Sequence, residues 1–321
     1  MKRAWFVPLL AIGLLFSFSA LSCAPRDSQK AVAPAQGGSK KTLVATYAIL
    51  GSVVSELAGD DFTVKSLIPN GLDVHEWEPS AKDIEALDSA DLIIENGIGL
   101  EGGMGKALAQ AREAGRKFFT ASDYIAVRHV GPGEGIPSGD PDQAIGAEDP
   151  HLWTDPSAMK AIVAALAAEL QKDFGASLPD KGVALTARAT DLEGRLDELD
   201  AEIRAEVASL PPDKRKLVTG HESLGYFAQR YGFTLVGALI PSLSTEAEGS
   251  ASGLAALKGL IAKNKVGVIF TELGTPAATV EALAKEAKVK AVSLSTHALP
   301  SDGSYFSFER KLASDIVGSL R

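Results

Sequence analysis

The sequence predicts an α/β fold: two β/α lobes with mainly parallel sheets, joined by a long rigid helix. Three observations carry this. Short apolar runs rich in β-formers alternate with helical patterns, the order expected of a parallel sheet covered on both faces. One helical pattern, from about Asp180 to Ser209, is far longer than the others. The alternation then starts again and runs to the C-terminus.

The chain opens with Lys2 and Arg3, an apolar run from Ala4 to about Phe18, and small residues before Cys23. This is the pattern of a secretory signal over residues 1–22, and it is shorter than a comfortable membrane span of ~20 residues. Cys23 is the only cysteine, so no internal disulfide can form. The stretch Ala20-Leu21-Ser22-Cys23 is similar to a bacterial lipobox, with Ala20 where Leu is usual. It predicts lipidation of Cys23 and a membrane-anchored lipoprotein outside the cytoplasm, in the periplasm or on the cell surface. Residues 23–41, rich in Ala, Pro, Gly and Ser, read as a flexible tether.

Folding signals begin at Thr42. "TLVATYAIL" reads as a strand and "GSVVSELAGDD" as a short helix. "FTVKSLI" is a second strand, and "SAKDIEALDSA" a helix capped by Ser80 with Asp83 in its first turn. "DLIIENG" and "KFFTAS" are strands flanking the helical "GMGKALAQAREAG". A helix capped near Asp155, with Pro156 at its first position, follows "DPHLW". In the long pattern, Leu192, Leu196, Leu199, Ile203 and Val207 form one apolar stripe, with Asp191–Arg195 and Asp200–Arg204 as i,i+4 pairs. "LPPDKR" stops it. "KLVTG", "FTLVGALI", "VGVIFTE" and "VKAVSLS" are strands, separated by helices over "SLGYFAQRYG", "SASGLAALKGLIAKNK" and "PAATVEALAKEAK". A last helix starts near Ser307. The expected organisation is an N-terminal lobe at 42–179, a linking helix at 180–209 and a C-terminal lobe at 210–321.

The chain has 321 residues, 45% hydrophobic and 23% charged, with a formal net charge of -9. That suits one large domain or two ordinary ones and argues against disorder throughout. No basic block could track a phosphate backbone, so nucleic acid is not an expected partner. The acidic balance suits solubility and mildly attracts cations. Residues 131–150 are loop, with five acids and no base. They read as a solvated surface loop rather than a collector of cations.

There are only five histidines. His129, at the edge of that loop, reads as a bystander. The other four, His75, His151, His221 and His297, fall in loops at element ends, spaced by 76, 70 and 76 residues. Taken singly, each is an ordinary loop residue. Three of them follow predicted strands, on the side where ligands of open α/β sheets bind. Four neutral imidazoles would make a closed tetrahedral site for Zn²⁺. Spacing alone leaves unrelated loop histidines equally open.

The motifs "NGLDVHEWEPSAKDIEALDSADLIIENG", "DPHLWTDP", "LVTGHESLGYFAQRYG", "STEAEGSASGL" and "STHALPSDGSYF" occur in this order. From Thr42 onward the chain resembles the cluster A-I solute-binding lipoproteins of bacterial ABC importers, the TroA-like or ZnuA-like family for zinc and manganese. The resemblance implies two β/α lobes, a rigid helix between them, and one metal in the cleft. It puts the family's ligands on His75, His151, His221 and His297, the last where Asp or Glu is common. It also implies a permease and its ATPase as partners, and a monomer. The His-rich loop of many zinc-specific members has no counterpart here. A set without a carboxylate is softer than Mn²⁺ prefers, so the expected cargo is Zn²⁺, with Mn²⁺ or iron as the alternative.

Glu272, ending "VGVIFTE", and Glu222, beside His221, are the candidates to accept the outer N–H of a ligand imidazole. Glu222 reads first as a solvated or capping carboxylate, while for Glu272 the two readings are equally open. Trp77 and Trp153 each lie two residues after a histidine and read as cleft packing. A secreted zinc hydrolase is the rival class. "HESLG" begins like H-E-x-x-H, but Gly225 stands where the second His must be. Four filled positions also leave no place for an activated water, so no catalytic residue is expected. An adhesin role has only surface exposure in its favour.

Overall fold

The computed structural model describes residues 40–134, 141–247 and 249–321. The signal, most of the tether, Cys23 and part of the acidic loop lie outside the described residues. Strands β1 (Lys41–Tyr47), β2 (Phe62–Ile68), β3 (Leu92–Glu95) and β4 (Phe118–Thr120) pair in parallel in the order β2-β1-β3-β4. Helices α1 (Ala48–Ala58), α2 (Ala81–Ser89) and α3 (Gly105–Glu113) connect them. β1 is buried from Leu43 onward, as expected of a strand covered on both faces.

The first strand ends earlier than its apolar run suggests, because Ala48–Leu50 open α1. Ile49, Leu50, Val53, Val54 and Leu57 form the helix's buried face. Apolar residues therefore continue without a break from strand into helix, and Tyr47 offers no side-chain cap to mark the change. Periodicity cannot place a boundary inside such a run. α2 begins as its sequence predicts, with Asp83 Oδ2 accepting from Ser80 N at 3.0 Å and Ser80 Oγ at 2.6 Å.

α4 (Pro156–Phe174) is capped by Asp155, whose carboxylate accepts from Ser157 N. α5 (Val183–Ala208) has 26 residues, about 39 Å at 1.5 Å per residue. Its stripe of Leu192, Leu196, Leu199, Ile203 and Val207 is buried, and it packs against α4, α1 and the last helix.

The second set of strands is β5 (Lys216–Thr219), β6 (Thr234–Ala238), β7 (Val268–Thr271) and β8 (Lys290–Ser293), paired in parallel as β5-β6 and β7-β8. Helices α6 (Gly225–Tyr231), α7 (Ala251–Asn264) and α8 (Ala277–Ala287) lie between them. α9 (Tyr305–Leu320) starts two residues before the position expected, because Ser304 Oγ accepts from Ser307 N and caps it. Tyr305, Phe308, Leu312 and Ile316 of α9 join the large core beneath the first sheet and α5. A smaller core under β5–β7, α7 and α8 includes Val218, Leu257, Ile261 and Ile269.

Candidate metal centre

His75 and His151 stand in the same local motif, "DVHEW" and "DPHLW". In each, the Asp two residues earlier reaches forward to the histidine's backbone. Asp73 Oδ1 accepts from His75 N at 2.9 Å, and Asp149 Oδ1 from His151 N at 3.0 Å. Such Asx turns suit Asp, whose short side chain bonds the backbone two residues on. Gly103 N donates to His75 O at 2.7 Å and fixes the first loop. His151 leads into a 3-10 turn, Leu152–Thr154, and then α4.

His221 follows β5 and His297 follows β8. A Cβ on Gly220 would lie 2.0 Å from Thr275 Oγ1 and 2.9 Å from Glu272 Cγ. Only glycine lets the end of β5 come this close to the loop after β7. Glu272 Oε1 then accepts from His221 N at 3.0 Å.

These four loops converge. One nitrogen from each imidazole lies within 4.8 Å of the others, and all four residues are buried. Nε2 of His151 and Nε2 of His221 are 3.2 Å apart. Two imidazoles sharing tetrahedral zinc at 2.0–2.1 Å stand about 3.3 Å apart, so this pair already has that spacing. Nε2 of His75 and of His297 are buried with no hydrogen-bond partner. An unpaired buried polar atom costs about 1–3 kcal/mol, and a cation among the four would satisfy these nitrogens together.

The outer nitrogens are held from behind. His151 Nδ1 lies 2.9 Å from Asp149 Oδ1, and Arg128 Nη1 donates to the other carboxylate oxygen at 3.0 Å. Thr296 Oγ1 donates to Glu272 Oε2 at 2.6 Å, which leaves its oxygen to accept from His297 Nδ1 at 2.8 Å. Ser223 Oγ also donates to Glu272 Oε2, at 2.6 Å. His221 Nδ1 is 3.2 Å from Glu272 Oε1, near enough for charge attraction but without hydrogen-bond alignment. The backbone of Leu100 lies beside the His75 ring and draws its pKa slightly upward. Trp153 closes the floor, its ring centroid 5.3 Å from those of both His151 and His297. Trp77 is half-buried and packs on the core.

Burial, and then the neighbouring imidazoles, hold His75 and His297 well below the usual histidine pKa. Burial also lowers His151, outweighing the pull of Asp149. His221 goes the other way. Burial would lower it, but the Glu272 charge and contact raise it above the ordinary value. Burial alone would raise Glu272 as well, yet His221 and the donors around it hold that carboxyl below the usual range.

Glu272 therefore stands behind His221 and, through Thr296, behind His297. Glu222 faces elsewhere: Gln143 Nε2 donates to it at 2.6 Å, and burial pushes its carboxyl up to about 7. His129 is exposed, 3.9 Å from Glu148, and takes no part in the cluster. Asp149, Thr296 and Arg128 were not singled out by sequence reasoning. The shared D-x-H-x-W pattern is the signal that could have found Asp149.

The chain matches the family model described as the zinc-uptake complex component A, periplasmic (ZnuA), over residues 43–319. It is 33% identical over 279 residues to the zinc-binding protein TroA of Treponema pallidum (strain Nichols), covering 86% of this chain and 81% of that protein. It is 30% identical over 243 residues to the manganese ABC transporter substrate-binding lipoprotein PsaA of Streptococcus mitis, 74% of each. Among solved structures, the periplasmic zinc-binding protein TroA from Treponema pallidum superposes with a TM-score of 0.73 at 30% identity, covering 88% of this chain and 99% of that one. The Mn-bound periplasmic metal-binding protein from candidatus liberibacter asiaticus shares the fold, with a TM-score of 0.73 at 22% identity and coverage of 88% and 100%. The parallel α/β architecture and these matches place the chain among the metal ABC transporter substrate-binding proteins, in the ZnuA/TroA-like family.

Proposed function

We propose that this chain captures Zn²⁺ outside the cytoplasm and delivers it to the permease of an ABC importer, driven by that permease's ATPase. One observation carries the choice of metal: the converging donors are four imidazole nitrogens, with no carboxylate oxygen among them. Nitrogen donors favour zinc over manganese, which prefers oxygen. His75, His151, His221 and His297 are the proposed ligands, with Asp149 and Glu272 as their outer partners. The lobes are proposed at 42–179 and 210–321, with residues 180–209 as the linking helix. Four protein ligands leave no position for an activated water, which favours a carrier over a hydrolase. The protein is proposed to work as a monomer, held to the membrane through a lipid on Cys23.

Manganese is the second reading, favoured by the relatives named for it. A competition titration of purified protein with Zn²⁺ and Mn²⁺ separates the two. The parent is expected to prefer zinc strongly. His297→Asp, which supplies a hard oxygen, should move the affinity ratio toward Mn²⁺ while leaving zinc the tighter ligand, since zinc stands higher in the stability order. A parent that prefers Mn²⁺, or a ratio unmoved by the substitution, would remove zinc as the cargo or His297 as a ligand respectively.

A further inference from the structure

The loop that carries His297 follows β8, yet it is tied to the other side of the molecule. Asn70, in the loop after β2, grips the backbone of Leu299 at two points. Its Nδ2 donates to Leu299 O at 3.0 Å, and its Oδ1 accepts from Leu299 N at 2.7 Å. Trp153 Nε1 donates to Thr296 O at 2.9 Å. Ser52 Oγ, on α1, donates to Gly303 O at 2.7 Å and accepts from Tyr305 N at 3.2 Å. Tyr305 OH donates to Trp153 O at 2.8 Å. α9 continues from this loop and packs against α5 and α1. On the β5–β8 side the loop continues directly from β8, Leu294 N donates to Thr271 O at 2.7 Å, and Thr296 Oγ1 donates to Glu272 Oε2 at 2.6 Å.

Local sequence builds the Asn70 grip. Leu72 N donates to Pro69 O at 3.2 Å and closes a turn, with Gly71 at φ +85, in the left-handed region that glycine favours. Asn70 is the second residue of that turn and lies five residues before His75. Leu299 lies two residues after His297. A single exposed side chain thus spans the two loops that present these imidazoles.

We infer that Asn70 is a positioning residue for His297, holding its loop on the body that carries His75 and His151. His221 and His297 are both presented by the second set of strands, and Asn70 ties the His297 loop to the loop that leads to His75. This rests on the four-imidazole reading above. Each of the two hydrogen bonds is a modest contact, but together they remove freedom from the loop that His297 must hold still to coordinate.

The test is a double-mutant cycle read by Zn²⁺ affinity in competition with a chelator. Asn70→Ala in the parent should weaken zinc binding about 5- to 10-fold. The same change in the His297→Ala background should alter affinity by less than about 2-fold, because no imidazole remains to be positioned. A general loosening of structure would instead cost the same factor in both backgrounds. If the parent fails to bind Zn²⁺, or His297→Ala binds as tightly as the parent, the four-imidazole reading falls and this inference with it. If those two hold, and Asn70→Ala costs nothing in the parent or costs the same factor in both backgrounds, only the role of Asn70 is overturned.

Discussion

At the scale of single residues, the site is organised by what stands behind the imidazoles. Asp149 is fully buried and serves three partners: the backbone and ring of His151, and Arg128. Its contact with Nδ1 keeps that proton on the outer nitrogen and aims the Nε2 lone pair inward. Asp149→Asn keeps the shape but removes the charge that favours this tautomer. Zinc affinity should fall about 10- to 100-fold, as for other outer partners of metal-binding histidines. Affinity within 2-fold of the parent, with the fold intact by circular dichroism, would mean that Asp149 supports Arg128 rather than His151.

At the scale of elements, α9 holds an exception to its own pattern. Its buried face is apolar except for Glu309, which is fully buried, with neither carboxylate oxygen hydrogen-bonded. Burial, and then the charge of Asp155, push the Glu309 pKa well above the usual range. The unfolded chain releases this proton near pH 4.3, while the folded chain keeps it. Stability is therefore undiminished below about pH 4.3 and falls by about 1.4 kcal/mol per pH unit above it, until the folded group ionises. Glu309→Gln removes that dependence. Thermal unfolding of the metal-free protein should show the variant's advantage growing between pH 5 and pH 7. A constant difference across that range would refute the shifted carboxyl. α5, by contrast, is regular throughout: its buried leucine stripe meets α4 and α9, and its charged pairs lie outside, with Asp200 reaching Arg204 at 2.9 Å and Arg230 at 2.8 Å.

At the scale of the whole molecule, residues 40–321 form one compact unit. Among the described residues, no helix is long and apolar enough to cross a membrane. Attachment is proposed to lie entirely in the lipid on Cys23, in a segment that the sequence reads as a tether. Cys23→Ala should move the protein from the membrane fraction to the soluble one, and the released protein should bind Zn²⁺ as the parent does. Retention of the variant in the membrane fraction would refute the anchor.

Much of the fold was legible in the sequence because its causes are local. β2 and α2 begin where alternation and the Ser80 cap place them, and the stripe of α5 is written at helical spacing. The four histidines were legible as loop residues at element ends. Where the apolar run of β1 passes into α1, the local signal is silent, and packing sets the boundary. Only the tertiary structure decided that the four imidazoles meet, since they lie 70 residues or more apart in the chain. It also decided which carboxylates stand behind them. Glu222 is adjacent to His221 in sequence yet turns to Gln143, while Glu272, 51 residues away, accepts from the His221 backbone. The return of α9 to the first core, and the hold of Asn70 on Leu299, likewise depend on how sheets and helices pack. Such contacts are fixed by side-chain direction and by the approach of distant backbones, and spacing along a chain carries neither.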